Sequence, residues 1–506
     1  MGLPTDQDSR LEVVPLIIDG KEKAIDPSRV FEVRSSISDE VVSLAHGATK
    51  KDALDAADAS WDFFHTWKRV PGSRRREIFL RAADLVDERS SELAKIITEE
   101  ITAAPEFAQF QVKFVTQMLR ELASRATTFQ GHTPEAQTPG VFALTLKQPI
   151  GPALIISPWN SALLLAARAL ACPLIAGCTV VFKASELSPR IHHTLVQIFF
   201  DAGLPRQAIS KIQCDRDDAA SVTEALIAHH AIKKVEFTGS NPVGSKIGQM
   251  CMKYMKPIFM ELGGKSAAIV LEDADLGNAA ALAVRGAFTH HGQICVSTER
   301  VIVVEAVAER FKELLKVEAQ KIPNAGAAAQ LRFAEHTEEL IAEAVSKGAT
   351  PLVGGPGFVG RSAVRPTILT GVTNDMRLFD EESFGPSFSL YVVKDEEEAV
   401  KLANNSKYGL SATIHTKDMR RFIRLAAEIE VGQVGMNSMT LFEECTFIDL
   451  SMKAFYGFAD TRLVTAPLGG AKGSGWGRCN GSYGIEEFLV EKFLYVSSPD
   501  ATLGFS

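Results

Sequence analysis

Cysteine is scarce: there are seven in 506 residues, an odd number without a single C-x-x-C pair. That excludes a disulfide framework and offers no ligand set for a structural zinc, so a reducing compartment, the cytoplasm, is expected. Basic clusters are missing too. With 54 Lys and Arg against 62 Asp and Glu, the net charge is -8, and no Lys/Arg-rich block could follow a phosphate backbone, which argues against a nucleic-acid partner. The start, Met1-Gly2-Leu3-Pro4-Thr5-Asp6, lacks the basic and apolar regions of a signal peptide, and Asp6 stands where a myristoylation motif needs Ser or Thr. Gly504-Phe505-Ser506 spells neither a peroxisomal nor a prenylation signal. Long apolar runs reduce to Ala162–Phe182, which Arg168, Pro173 and Gly177 interrupt. It reads as a buried helix followed by a buried strand, so no membrane association is expected. Internal repeats and low-complexity tracts are absent.

What is present is an ordinary globular composition, 46% hydrophobic and 23% charged, in a length that allows two or three domains. Residues 51–111 place apolar side chains such as Ile78, Leu80, Leu85 and Leu93 at helical spacing among charges, predicting a pair of amphipathic surface helices. From Pro152 short apolar runs alternate with helical stretches: Ala153–Ile156, Thr179–Lys183 with a helix from Pro189, and Val235–Phe237 with a helix from Ser240. After Glu261 the alternation resumes with Ala267–Leu271, Arg300–Val304 and Ser387–Val393. Strands separated by helices imply parallel sheets, hence an α/β fold of two domains joined near residue 260. Two segments, Gly140–Gln148 and Glu487–Ser497, read as strands outside both domains that need another edge to pair with, as in an oligomerisation element.

Three glycine motifs invite a nucleotide reading. Gly355-Pro356-Gly357-Phe358-Val359-Gly360 matches G-x-G-x-x-G, but extended chain follows where a helix should open on a phosphate, so a surface turn is expected. Gly473-Ser474-Gly475-Trp476-Gly477 has no strand before it and reads as a tight loop. Gly239-Ser240-Asn241-Pro242-Val243-Gly244 is no P-loop, yet it follows a strand and opens a helix, which fits a pyrophosphate site and an ordinary capped helix equally. Among the cysteines, Cys172 and Cys178 sit in the apolar run and read as inert core residues. Cys295, in Gly292-Gln293-Ile294-Cys295, lies among polar residues beside a turn. It reads as a buried thiol or as a nucleophile, with His290 and His291 near enough in sequence to suggest a cysteine–histidine hydrolase.

Phe237-Thr238-Gly239-Ser240, Glu261-Leu262-Gly263-Gly264-Lys265-Ser266 and Gly292-Gln293-Ile294-Cys295 occur in order, with Cys295 34 positions after Glu261. With Pro158-Trp159-Asn160, Lys183-Ala184-Ser185-Glu186, Glu381-Glu382-Ser383-Phe384-Gly385-Pro386, Tyr408-Gly409-Leu410-Ser411 and Gly475-Trp476-Gly477-Arg478, these motifs resemble the aldehyde dehydrogenase superfamily along nearly the whole chain. The salicylaldehyde, vanillin and benzaldehyde dehydrogenase branch is the most similar.

That resemblance implies a Rossmann-like NAD-binding domain over residues 10–129 and 151–260, a catalytic domain over 261–484, and bridging, oligomerising strands over 130–150 and 485–500. It implies Cys295 as the nucleophile that forms a thiohemiacetal and then a thioester. Asn160 and the Cys295 backbone would hold the oxyanion, and Glu261 would deprotonate the hydrolytic water. The acid is then released free. Lys183 and Glu186 would hold the adenosine ribose, Gly239 and Ser240 the pyrophosphate, and Glu382 and Phe384 the nicotinamide end, with Trp159 and Gly244 also in the cofactor set. Glu186 would accept from a ribose 2′-OH and repel a 2′-phosphate, favouring NAD, with NADP possible. No metal is implied. Arg168 would line the substrate channel and meet a polar ring substituent; the alternative is a structural pair with a buried acid or a helix carbonyl. The expected reaction is oxidation of an aromatic aldehyde to its acid by a homodimer or homotetramer. The alternatives are a semialdehyde or aliphatic aldehyde dehydrogenase and a catalytically silent relative. One stretch departs from the family: Leu441–Ala466 replaces a loop of about a dozen residues. It reads as a retained non-coding stretch in preference to an entrance lid.

Overall fold

The computed structural model of the chain describes residues 11–136, 140–440 and 464–497. Four helices, not two, occupy the region after Lys50: α1 (Lys50–Trp67), α2 (Gly72–Glu88), α3 (Ser90–Ile101) and α4 (Pro105–Arg125). Pro71 and Pro105 punctuate them, and Thr102 turns left-handed (φ 54°) at the end of α3. Thr49 and Asp52 close a capping box at the start of α1. α4 is no surface helix. It buries Phe107, Phe110, Phe114, Met118, Leu119 and Leu122 in a core shared with α5 (Ala162–Ala176). Every residue of α5 is buried, Arg168 included, and Gly177 ends the helix in a left-handed cap (φ 100°). The expected buried helix followed by the strand Val180–Lys183 is therefore present. Among the described residues no helix is long and apolar enough to cross a membrane.

The first sheet has a parallel centre in the spatial order Ile258–Glu261, Lys234–Thr238, Ala153–Ile156, Val180–Lys183, Ile209–Ile212. Strands buried on both faces read as continuous apolar runs, which is why Ala153–Ile156, Val180–Lys183 and Lys234–Thr238 were visible in the sequence, whereas Ile209–Ile212 and Ile258–Glu261 were not read as strands. Helices α6 (Pro189–Asp201), α7 (Ala219–Ala228) and α8 (Asn241–Lys253) provide crossovers. The chain winds outward from Ala153–Ile156 in one direction, then returns to its other side, placing a topological switch between that strand and Lys234–Thr238. Gly475–Trp476 adds an antiparallel edge beside Glu261, where a tight loop was expected. Two residues are too few to show a strand period.

The second sheet runs Thr350–Val353, Thr367–Thr370, Ser387–Val393, Thr298–Val304, Ser266–Val270, Ser411–His415, Gln433–Met436, parallel except at its first pair. The fold is thus α/β with two largely parallel sheets, as expected. Val141–Pro149 and Leu489–Ser497 pair antiparallel along their lengths, each supplying the edge the other needs. Phe142, Phe493 and Tyr495 remain exposed on this ribbon. Phe358–Gly360 forms an exposed strand against Ala363–Val364 with no helix after it, so that glycine motif is a surface turn. The expectation for Leu441–Ala466 falls on residues that, up to 463, lie outside those described.

Candidate active site

The carboxyl ends of the first sheet's strands face the amino ends of the second sheet's strands, and three loops meet between them. Glu261 ends its strand on one side; Cys295 precedes Thr298–Val304 on the other. The Cys295 thiol donates to Glu261 Oε1 at 2.9 Å. Burial, then the neighbouring Glu261 carboxylate, raise this thiol well above its ordinary value, so it stands protonated with its acceptor already in place. Asn160, in the loop after Ala153–Ile156, is buried and donates Nδ2 to the Gln293 carbonyl at 3.0 Å. An amide nitrogen has a second hydrogen, which stays free for an oxyanion. Structure and sequence agree in bringing Cys295, Glu261 and Asn160 together.

The loop that presents Cys295 is wound left-handed at His290 (φ 50°), His291 (φ 57°) and Gly292 (φ 73°). Non-glycine residues there cost energy and persist only where the surroundings fix them. His290 stacks on Phe107 at 4.4 Å and bonds the backbone of Asn160; His291 Nε2 accepts from Val364 N–H at 3.0 Å. Burial pushes His290 down to about 4 and His291 to about 3, so both are neutral struts. The cysteine–histidine hydrolase reading fails on this geometry. The partner of Cys295 is Glu261, and the histidines face away to hold the loop. Gln293 completes the support: Nε2 donates to the carbonyls of His290 and Ala327, and Oε1 accepts from Ala329 N–H.

Arg168 takes the second of its two expected settings. Its NH2 donates to Glu261 Oε2 at 2.7 Å, with both side chains almost wholly buried. The guanidinium is thus directed at the carboxylate that also receives the Cys295 thiol. A further buried pair, Lys265 with Glu299 at 2.5 Å, supports the opposite wall. Glu299 accepts from the N–H groups of Ser383 and Phe384, and Lys265 donates to the Glu381 carbonyl at 2.7 Å. These bonds hold Glu382, which accepts from Gly264 N–H at 2.9 Å, and Phe384, itself left-handed at φ 49°. Burial, then the charge of Glu299, push Glu382 up to about 8.

The remaining expected residues line the carboxyl edge of the first sheet. Lys183 ends its strand and Glu186 lies in the turn that follows, neither side chain bonded within the described residues. Gly239 and Ser240 precede α8, whose N-terminal N–H groups receive no bond from the Ser240 side chain. A Cβ on Gly244 would meet Leu262 at 2.5 Å, so glycine lets α8 settle on the sheet. Trp159 stacks on Phe333 at 5.0 Å and meets the Phe384 ring edge-on at 6.0 Å. Asp58, His229 and His230 bring possible metal-ligand atoms within 4.8 Å of one another. His229 Nδ1, however, accepts from Ala231 N–H, which puts the ring proton on Nε2, towards Asp58, and leaves no lone pair there for a metal.

The sequence pattern of the aldehyde dehydrogenase family matches residues 24–494. A vanillin dehydrogenase from Pseudomonas sp. (strain HR199 / DSM 7063) is 38% identical over 494 residues, covering 96% of this chain and 98% of its own. The chain belongs to the aldehyde dehydrogenase family. Among solved structures, a salicylaldehyde dehydrogenase from Pseudomonas putida G7 complexed with salicylaldehyde superposes with TM-score 0.89 at 35% identity, covering 97% of this chain and all of that one. An NAD-dependent aldehyde dehydrogenase from Sinorhizobium meliloti gives 0.89 at 28% identity, covering 99% and 98%. The enzyme is therefore an aldehyde dehydrogenase of α/β fold that uses a nicotinamide cofactor.

This dehydrogenase has the features such a cofactor requires. The uncapped start of α8 suits a pyrophosphate, the free Lys183 and Glu186 suit ribose hydroxyls, and the buried Glu382 beside Gly263 and Gly264 offers a further acceptor. Sequence reasoning named no role for Lys265, Glu299 or Gln293, and suggested His290 as a base, not as a strut. Lys265 and Gln293 stood inside quoted motifs, but a positioning role depends on partners distant in sequence, such as Ser383 and Ala329, which one chain does not reveal.

Proposed function

We propose that this dehydrogenase oxidises an aromatic aldehyde to its carboxylic acid with NAD, through a covalent intermediate on Cys295, in the cytoplasm. The reading rests first on one observation: the Cys295 thiol lies 2.9 Å from Glu261 Oε1, with Asn160 anchored to the same loop. Attack on the aldehyde carbon breaks the S–H bond and passes its proton to Glu261, while Asn160 Nδ2 and the Cys295 N–H hold the oxyanion. Bound NAD supplies the hydride acceptor. Cys295 is then acylated, and Glu261, having released the first proton, takes a second from the water that cleaves the thioester. Glu382 and Phe384 orient the nicotinamide end, Lys183 and Glu186 the adenosine ribose, Gly239, Ser240 and Gly244 the pyrophosphate, and Trp159 walls the cleft. Residues 10–129 and 151–260 serve as cofactor domain and 261–484 as catalytic domain.

The aromatic substrate class is supported by the likeness to vanillin and salicylaldehyde dehydrogenases. NAD over NADP is supported by the unpaired carboxylate of Glu186, which repels a 2′-phosphate. The exposed aromatics of the paired strands Val141–Pro149 and Leu489–Ser497 support a homodimer or homotetramer. The test is a panel of benzaldehydes, semialdehydes and aliphatic aldehydes with each cofactor, following reduced cofactor. The highest kcat/KM should fall on a benzaldehyde with NAD; a preference for a semialdehyde or for NADP would contradict the corresponding part.

A further inference from the structure

The face of the first sheet that α5 covers carries two carboxylates. In the parallel register Thr238 stands opposite Glu261, and Glu236 opposite Phe259. Alternate residues of a strand share a face, so Glu236 projects on the same side as Glu261, one diagonal step away. Ile155, its partner on the other neighbouring strand, packs in the core that holds α5. Glu236 is 3% exposed and Glu261 is 1% exposed. Arg168, on the helix above them, donates to Glu261 and lies within electrostatic reach of the Cys479 thiol and of Glu236; its Nε has no partner among the described residues.

A second buried acid beside the base is costly unless a cation or a hydrogen bond compensates it. When Glu261 takes a proton its charge is cancelled, and the guanidinium it held is left buried without a counter-ion, which is severely unfavourable. We propose that Glu236 is a positioning residue for this step: its carboxylate takes over Arg168 while Glu261 carries the proton, and so governs how readily Glu261 accepts one. The inference rests on the roles proposed above for Cys295 and Glu261. In bonds, the Cys295 S–H or a water O–H breaks and an O–H forms on Glu261, after Glu236 has released its own proton to solvent. No electrons are exchanged.

The groups that face Glu236 set when its carboxylate is available. Burial pushes it up to about 8; Arg168 on α5 and Lys234 on its own strand oppose this, while Glu487 and Glu261 add to it. Cys172 on α5 also interacts with it, as a thiol that burial keeps protonated. Lys234 is already engaged by the carbonyl and side chain of Glu487, leaving Arg168 as the cation Glu236 can serve. Below pH 8 Glu236 is mostly neutral and proton transfer to Glu261 strands the guanidinium; above it the transfer is compensated.

The test is kcat for benzaldehyde with NAD from pH 6.5 to 9.5. The natural enzyme should rise through about pH 8 and level off. Glu236→Gln should lose that rise and lie about tenfold lower at pH 9, with KM for NAD unchanged. Glu236→Asp, which restores a carboxylate, should bring back a rise with a displaced midpoint. A Gln variant that keeps the natural rise, or that loses the same factor at every pH, would overturn the proposal. If Glu236→Gln does not fold, an Asp variant with an unmoved midpoint would do so. A natural enzyme that reduces NAD with no aldehyde would sink the functional reading and this inference together, whereas an active enzyme with an unaltered variant sinks only the inference.

Discussion

Glu261 is bound on two sides at the residue scale: it accepts from the Cys295 thiol with one oxygen and from Arg168 with the other, and the proposed mechanism asks it to deprotonate the hydrolytic water as well. Removing one member of a buried ion pair leaves the other charge uncompensated, at a cost of about 3–5 kcal/mol. Arg168→Leu is therefore expected to lower stability by about that much. It should also slow plain and hydroxylated benzaldehydes alike, because the stranded Glu261 carboxyl takes up a proton and ceases to be a base. Chemical denaturation and kcat/KM across a substituted series check this. A loss confined to aldehydes with a polar ring substituent would return Arg168 to the substrate channel.

At the scale of elements, the strained turn before Cys295 is clamped between loops. A Cβ on Gly292 would meet the Gly385 carbonyl oxygen at 2.1 Å, in a backbone conformation (φ 73°) that L-residues avoid. Gly385 directly follows Phe384 and lies three residues after Glu382, so Gly292→Ala should push both loops apart, lowering kcat and raising KM for NAD together. A change in kcat alone, with cofactor binding measured by fluorescence unaltered, would mean that the loops move independently. Much of this architecture was legible: parallel strands such as Ala153–Ile156 and Ser387–Val393 stand where their apolar runs placed them. The first helical region was not read correctly. Charges on the outer turns of α2 disguised the breaks at Pro71, Arg89 and Thr102, and α4 carries enough Gln, Lys and Arg to look like a surface helix while burying its aromatic face. In the site, Cys295, Glu261 and Asn160 were readable because motifs name them. The Arg168–Glu261 and Lys265–Glu299 pairs were not, since each joins residues far apart in sequence through a fold that must be seen to be known.

For the whole molecule, buried neutral histidines impose an acid limit. His192 and His291 are pushed down to about 3, and His290 and His415 to about 4, each by burial. In the unfolded chain these imidazoles take a proton near pH 6.5, so between there and about pH 4 the unfolded state binds more protons than the folded one. The histidine share of stability is then complete above pH 6.5 and falls by about 1.4 kcal/mol per pH unit for each such histidine as the pH drops through that window. The raised Glu236 and Glu382 carboxyls act in the opposite sense, binding protons in the folded state from about pH 8 downwards, but the four histidines outnumber them, so thermal melts should fall below pH 6.5. A Tm unchanged down to pH 4.5 would show that the histidines are solvated.

The account as a whole stands on Cys295 carrying the acyl group and Glu261 releasing it, and peptide mass spectrometry of Glu261→Gln mixed with benzaldehyde and NAD tests that most directly. A benzoyl adduct should accumulate on the Cys295 peptide with about one equivalent of reduced cofactor, forming more slowly than in the natural enzyme because the thiol proton must then leave to solvent, and persisting because no carboxylate activates water. Cys295→Ala should give neither. An unmodified Cys295 peptide alongside continuing turnover, or reduced cofactor formed by Cys295→Ala, would contradict the mechanism.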